Sequence, residues 1–313
     1  MRVLCLTNMY PSEGDPSAGS FVRDQVEDLR TLGVDVDVLA FDGRVRKSEY
    51  ARATRRLRSQ LGERPVDLIH AHYGLTGAVA LTQREAPVVT TFHGSDTGYV
   101  RWQGRVSWLV ARATAPIFVA RVQAARLGLP GAPVIPAGVS TDAFRIAPRK
   151  MSRRKLGWAE DGRFVLLPGA RGNRRKGAEL FDAVVKALGH GHVPVSLEGY
   201  GRDDVAEVLN AVDVVLMTSL WEGSPVTVKE ALACGTPVVS VDVGDVAEVI
   251  AGLPGCSCHP RRPEQLAEGV RVALHAGDRE ALRRRAKAYE RLELATRVIG
   301  VYRDVLANLS RPA

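Results

Sequence analysis

The feature that most constrains this chain is a strand–helix alternation that runs twice, with one interruption between the two runs. Arg2 to Thr7 is a continuous apolar run, and Asp67 to Ala71, Pro87 to Phe92 and Pro116 to Ala120 read as further short strands. Such runs suit strands of a parallel sheet covered on both faces. Val34 to Ala40 alternates apolar and acidic residues and reads as a further strand, and Pro133 to Pro136 as another short one. Helical periodicity fills the gaps: Ser20 to Leu32 with Val22, Val26 and Leu29 on one face, then Ser48 to Leu61, Gly74 to Gln83 and Trp102 to Ala113.

The stretch Gly138 to Gly162 breaks the rhythm. It holds Pro148, a basic cluster (Arg149, Lys150, Arg153, Arg154, Lys155) and little apolar periodicity, and reads as a linker region. The pattern then restarts. Strands are expected at Arg163 to Leu167, Val193 to Leu197, Val212 to Met217 and Pro237 to Val241, with helices at Gly177 to Leu188 and Asp203 to Leu209. From Asp245 on the chain is mostly helical, and the last stretch, Arg279 to Leu309, is expected to break near Leu292 to Ala295. Two successive doubly wound α/β domains are the predicted fold, 1–140 and 141–295. Ligands of such sheets sit beyond the carboxyl ends of the strands, so the loops after Thr7, Phe92, Leu167, Leu197 and Met217 are where chemistry is expected.

The loop after Met217 carries Glu222-Gly-Ser-Pro-Val-Thr-Val-Lys-Glu230, followed by Ala-Leu-Ala-Cys-Gly-Thr-Pro-Val. Pro225 stands where a helix would begin, with Ser224 placed to cap it. Two carboxylates therefore flank a helix N-terminus, whose unpaired N–H groups suit a phosphate. The loop after Leu167 is Pro168-Gly-Ala-Arg-Gly-Asn-Arg-Arg-Lys-Gly177. Its glycines let backbone approach a ligand, and Arg171 and Lys176 supply cations for charge growing on a departing diphosphate. Glu230 and Glu222 suit sugar or ribose hydroxyls, since a carboxylate accepts two hydrogen bonds at once. In Thr91-Phe-His-Gly-Ser-Asp96, His93 at a strand end can contact a sugar hydroxyl or assist a proton. Gly19, at the entry to the first helix, would bring backbone N–H groups near an anion.

Other chemistries are not expected. The chain has no three-glycine dinucleotide fingerprint. Asp35-Val-Asp37 lies early in a strand and reads as a solvated edge, and His70 with His72 lacks a third metal ligand at suitable spacing. No metal and no cofactor is therefore expected beyond the substrate. The four cysteines are scattered, and all read as reduced thiols. The N-terminus lacks a signal peptide's basic region and cleavage site, and no apolar run approaches membrane-spanning length. A cytoplasmic location follows as the expectation. The formal net charge of +8 points to anionic company: nucleotides, phosphorylated lipids or an anionic membrane surface. Nucleic acid is not expected, for want of a zinc-finger spacing, an aromatic RNA signature or a basic tail. Arg52, Arg55, Arg56 and Arg58, and Arg283, Arg284 and Arg285, are candidates for peripheral docking on anionic headgroups.

Together these stretches resemble the retaining glycosyltransferases of family 4, with the two-domain GT-B fold. The resemblance runs from Ser17-Ala-Gly-Ser-Phe-Val-Arg-Asp-Gln-Val, through Asp67-Leu-Ile-His-Ala-His-Tyr-Gly and Thr91-Phe-His-Gly-Ser-Asp, to the Glu222–Glu230 motif and the terminal helix. It implies two Rossmann-like domains facing across a cleft, acceptor-side first and donor-binding second. A C-terminal helix, about 296–313, would cross back to the first domain. It implies Arg171, Lys176 and Gly19 at the donor diphosphate, Glu222 on the donor sugar with Gly223, Ser224, Pro225 and Val226 nearby, Glu230 on the ribose, and His93 beside the reacting sugar.

The activity implied is metal-independent transfer of a hexose-type sugar with retention. The donor would be a nucleoside-diphosphate sugar, UDP-sugar ahead of GDP-sugar. The acceptor, a glycan, a lipid-linked sugar or a small molecule, would belong to cell-surface polysaccharide or glycolipid synthesis. A nucleotide-sugar epimerase or phosphorylase on the same fold is the second reading, and a degenerate GT-B binding subunit the third. Two departures stand out. Ala137-Gly-Val-Ser140 replaces the family's Asn-Gly-Val-Asp, and the stretch from Glu198 to Asp213 is short, leaving the base contacts open.

Overall fold

The computed structural model describes residues 1–11, 19–43, 46–98, 101–275 and 277–309. Ser17 and Ala18, most of the loop before Gly19, and the last four residues of the expected terminal helix lie outside these. The chain divides into two compact units, Met1–Ala137 with Arg291–Ala313, and Gly138–Glu290.

The first unit is built on β1 (Arg2–Thr7), β2 (Asp35–Ala40), β3 (Leu68–His72), β4 (Val88–Phe92) and β5 (Ala115–Phe118), all parallel, in the order β2-β1-β3-β4-β5. β1 and β3 are buried along almost their whole length; β1 is apolar throughout but for its ends, whereas β3 carries the buried His70 and His72. β2 is an edge strand, where Asp35 and Asp37 are taken up by Arg2 and Arg64. Chain order places a topological switch between β1 and β3: the chain moves from β1 to one side, then returns to the other.

The second unit holds β6 (Arg163–Leu167), β7 (His192–Ser196), β8 (Val214–Met217), β9 (Val238–Val241) and β10 (Ser257–His259), in the order β10-β9-β8-β6-β7. Its core joins Leu166, Leu167, Leu216, Met217 and Val239 from the sheet to Phe181, Leu232 and Leu266 from the helices. Here the switch falls between β6 and β8. Two five-stranded parallel sheets, each with its own core and helices, make the fold two Rossmann-like units.

The terminal helix, Arg291–Leu309, belongs to the first unit. Arg291 donates to both carboxylate oxygens of Asp28 on the helix Ser20–Thr31, at 2.9 and 2.8 Å. Tyr302 is fully buried, with its hydroxyl 2.6 Å from Nδ1 of His70 in β3. The chain crosses back as expected, and the break before this helix falls at 288–290 rather than near Leu292.

Three local readings are corrected. Pro133–Pro136 forms only an isolated bridge, Phe118 to Val134, because a segment bounded by prolines lacks ladder donors. The expected linker carries a helix, Arg149–Lys155, built into the second unit. Its Arg153 is buried, donating to the Ala211 carbonyl at 2.8 Å and to Asp213 at 2.7 Å, with its guanidinium 4.7 Å over the Phe164 ring. Arg283 and Arg285, expected as headgroup contacts, are spent on backbone carbonyls: Arg283 on Thr141, Phe144 and Ala233, Arg285 on Val249 and Ala251.

Candidate active site

In the second unit the loops after β6 and β8 lie side by side at the switch point, where a crevice forms outside the carboxyl ends. The first loop turns through a short 3-10 segment, Arg174–Lys176, and then Gly177 at φ +69°. A side chain at Gly177 would meet the Thr218 carbonyl oxygen at 2.2 Å, so only glycine lets the two loops close up. Two hydrogen bonds fasten them: Leu220 N–H to the Arg175 carbonyl at 2.8 Å, and Thr218 Oγ1 to the Lys176 carbonyl at 2.9 Å.

That turn aims two cations at Glu222. Lys176 Nζ lies 2.9 Å from Glu222 Oε1, and an Arg175 guanidinium nitrogen 3.2 Å from Oε2. Ser219 Oγ donates to Oε1 at 2.8 Å. Glu222 is 6% exposed, while Arg175 keeps 37% of its side chain in solvent. Gly223, Ser224 and Val226 are partly exposed beside the start of the helix Val226–Ala233. Two cations beside a helix N-terminus are an arrangement that suits a polyanion.

Ser224 does not cap that helix. Pro225 occupies the cap position, and Ser224 Oγ bonds Asp245 Oδ2 at 2.7 Å and accepts from Lys229 Nζ at 2.7 Å. Lys229 is fully buried and lies 2.6 Å from Asp245 Oδ2. Burial lowers its pKa, and Asp245 opposes that shift. This internal ion pair anchors the loop that carries Glu222.

Glu230, one helical turn deeper, is 1% exposed and ion-paired with Arg202, whose guanidinium stands 5.0 Å over the Phe144 ring. Arg171 is engaged by other carboxylates. It pairs with Asp182 at 2.6 Å, and its N–H donates to Glu198 at 3.1 Å. The structure thus brings together Lys176, Glu222 and the Gly223–Val226 segment, and sets Arg171 and Glu230 on ion pairs of their own.

His93 and Gly19 belong to the first unit. Gly19 precedes the helix Ser20–Thr31 at φ +64°, where a Cβ would meet the Met9 carbonyl oxygen at 2.4 Å. His93 is half-buried just past β4. Its ring lies 4.8 Å from that of Phe21 and 4.7 Å from that of Tyr73. Burial drives its pKa well below the usual imidazole value, so the ring is neutral near pH 7. Asp96 Oδ1 accepts from the backbone N–H groups of His93 and Gly94, at 3.2 and 2.9 Å, and Oδ2 from Gly74 N–H at 3.0 Å. It ties the loops after β3 and β4 together. Burial raises it to about 6, against those three hydrogen bonds.

Tyr73 is the one non-glycine residue with positive φ among the described residues, at +77°, a strained geometry of the kind that gathers at functional sites. It borders a cavity of about 790 Å³ that Asn8, Lys47, Tyr50, Asp96 and Trp102 also line. Among the described residues no group of three or more His, Cys, Asp or Glu side chains could hold a metal ion.

Sequence reasoning missed Arg175, Tyr73, Asp96 and the Lys229–Asp245 pair. Beyond Lys176, the run Arg174-Arg175-Lys176 gives no clue which arginine turns inward. Asp96, three residues after His93, carried a usable signal: an aspartate in the short loop past a strand end, where it can turn back to bond backbone N–H groups.

Residues 161–276 match the glycosyl transferases group 1 family, and residues 2–138 the glycosyl transferase 4-like domain. The chain is 30% identical over 284 residues to the D-inositol 3-phosphate glycosyltransferase of Actinosynnema mirum, covering 72% of this chain and 68% of that one. It is 26% identical over 344 residues to TuaC of Bacillus subtilis, a glycosyltransferase attributed to teichuronic acid biosynthesis, covering 86% and 88%. Among solved structures, sucrose-phosphate synthase of Thermosynechococcus elongatus shares the fold, with a TM-score of 0.79 at 19% identity over 98% of this chain and 99% of that one. The chain belongs to the group 1 glycosyltransferases, the GT4 family of GT-B fold.

Proposed function

We propose that the protein transfers a hexose-type sugar, with retention, from a nucleoside-diphosphate sugar to an acceptor used in cell-surface polysaccharide or glycolipid synthesis. The observation that carries this reading is the joining of Lys176 and Arg175 to Glu222 beside a helix start. A leaving diphosphate gathers negative charge as its bond to carbon breaks. Lys176, Arg175 and the N–H groups at Val226 offer that charge fixed partners without water having to reorganise. Glu222 then accepts hydroxyls of the donor sugar and Glu230 those of the ribose. His93, neutral and partly open, contacts the reacting sugar, and Gly19 the phosphates. The leaving phosphate itself takes the acceptor's proton, so the step needs no enzymic nucleophile and no metal.

The second unit is the donor side in this reading. The first unit is the acceptor side, with the cavity beside Tyr73 and Asp96 as the acceptor's seat. UDP-sugar stands ahead of GDP-sugar. The names of the relatives in inositol-phosphate glycosylation and teichuronic acid synthesis support a glycan or glycolipid product. A cytoplasmic protein touching the membrane periphery fits the helix Arg101–Ala113, which exposes Trp102, Trp108 and Leu109 beside Arg101, Arg105 and Arg112 and carries no acid. A thermal-shift screen of UDP, GDP, ADP and dTDP, followed by hydrolysis of the matching donor sugars, tests the assignment. A melting shift with one diphosphate and slow release of sugar from its donor is the expected result, and no shift with any would refute it.

A further inference from the structure

His72 and His93 stand at the carboxyl ends of adjacent strands, His72 closing β3 and His93 following β4. Nδ1 of His72 lies 3.0 Å from Nε2 of His93, and the rings are nearly parallel, with centroids 5.2 Å apart. The two differ in access. His72 is 1% exposed, whereas His93 is half-buried. Only His93 can reach a ligand.

We propose that His72 is a positioning residue for His93: it engages Nε2 of His93 inside the protein and so presents Nδ1 as the one ring nitrogen open to the sugar. The proposal rests on the reading of His93 as the residue beside the reacting sugar.

A free imidazole swings about its side-chain bonds and exchanges its proton between two nitrogens. Here both freedoms are removed. The His93 ring is flanked by Phe21 and Tyr73, and its buried edge is bonded to His72. His72 in turn leans on His70, ring centroids 4.4 Å apart. Both nitrogens of His70 are engaged, Nδ1 with Tyr302 Oη at 2.6 Å and Nε2 with Thr91 Oγ1 at 2.7 Å. The stack is thus anchored to β4 and to the terminal helix. Burial holds His72 down at about 3 and His70 and His93 well below the ordinary value. Neither ring of the His72–His93 pair carries a second proton near pH 7. One proton lies between them, so one ring donates and the other accepts, and the His93 tautomer is coupled to that of the buried His72.

The test uses the full chain with UDP-glucose and, as second donor, GDP-mannose, following donor hydrolysis. Asn places an amide group near the position of the His72 Nδ1, whereas Leu removes it. His72→Leu is expected to lower kcat about 10-fold, as loss of one hydrogen bond does, with KM and nucleoside diphosphate affinity within about threefold. His72→Asn should recover most of the rate. In a His93→Ala background His72→Leu should have no further effect, because it acts through His93. Equal losses in both backgrounds, or full activity of His72→Leu, would overturn the proposal. Full activity of His93→Ala would instead overturn the role given to His93 itself. A readout independent of turnover and of variant folding is imidazole ¹⁵N NMR of the wild-type chain. One pyrrole-like and one pyridine-like resonance for His93 is expected, and averaged resonances would contradict it.

Discussion

Lys176 Nζ lies 2.9 Å from Glu222 Oε1, so a cation expected at a diphosphate and a carboxylate expected at a sugar form one ion pair. The Lys176 side chain is 13% exposed and that of Glu222 6%, which makes the pair far less screened than a surface contact. Arg175 shares the same carboxylate from its more open side. In the proposed reading the pairing sets the geometry in advance: a donor's diphosphate would meet cations already held in place by Glu222.

Arg175 is therefore expected to matter where its neighbour does not. Arg175→Ala should weaken nucleoside diphosphate binding by about tenfold, the value of one charge-assisted contact. Arg174→Ala should stay within about twofold. Calorimetry on both variants checks this, and equal losses would remove Arg175 from the site.

The buried Lys229–Asp245 pair predicts an asymmetric stability pattern. Lys229→Met strands a buried carboxylate and should cost on the order of 3 kcal/mol, whereas Lys229→Met with Asp245→Leu should recover most of it. Urea unfolding, followed through the second unit's transition, reads both. A double variant as unstable as the single would contradict the role given to the pair.

Three histidines and one aspartate set the acid response of the first unit. His70, His72 and His93 stay neutral when folded and take up protons near pH 6.5 when unfolded. Their depressed values give stability that is present above about pH 6.5 and lost as pH falls below it. Asp96, raised to about 6, works oppositely: folded it binds a proton that the unfolded chain binds only near 4, which offsets one histidine. The net expectation is a loss on the order of 2 kcal/mol per pH unit between pH 6.5 and 5. Urea midpoints across that range measure it, and a flat profile would contradict neutral rings.

Membrane contact is expected through the helix Arg101–Ala113, not through Arg283 and Arg285, whose guanidinium groups are committed to carbonyls. Vesicles of phosphatidylglycerol should pull the chain down and blue-shift its tryptophan emission, with phosphatidylcholine inert. Trp102→Ser with Trp108→Ser should abolish sedimentation. Binding retained by that variant would place the contact elsewhere.

Much of this was legible in the sequence, for identifiable reasons. β1 is apolar on both faces, and a sheet covered on both sides leaves that mark. The sheet orders were not legible, because chain order alone does not say on which side of β6 the strand β8 is laid. Ser224 was misread for a related reason. A serine before a proline-led helix fits a cap, but Asp245 and Lys229, brought in by the fold, claimed its hydroxyl. Arg153 looked like one charge among five in a linker, yet Phe164 and Asp213 bury it, and neither is near it in sequence.

The most direct measurement is nucleoside diphosphate affinity, by calorimetry with UDP and GDP, for the wild-type chain, Lys176→Ala and Glu230→Ala. Loss of at least about tenfold in each variant, for whichever diphosphate the wild type binds, is the result expected if the β6–β8 switch point holds the donor. Affinity unchanged in both variants would contradict it.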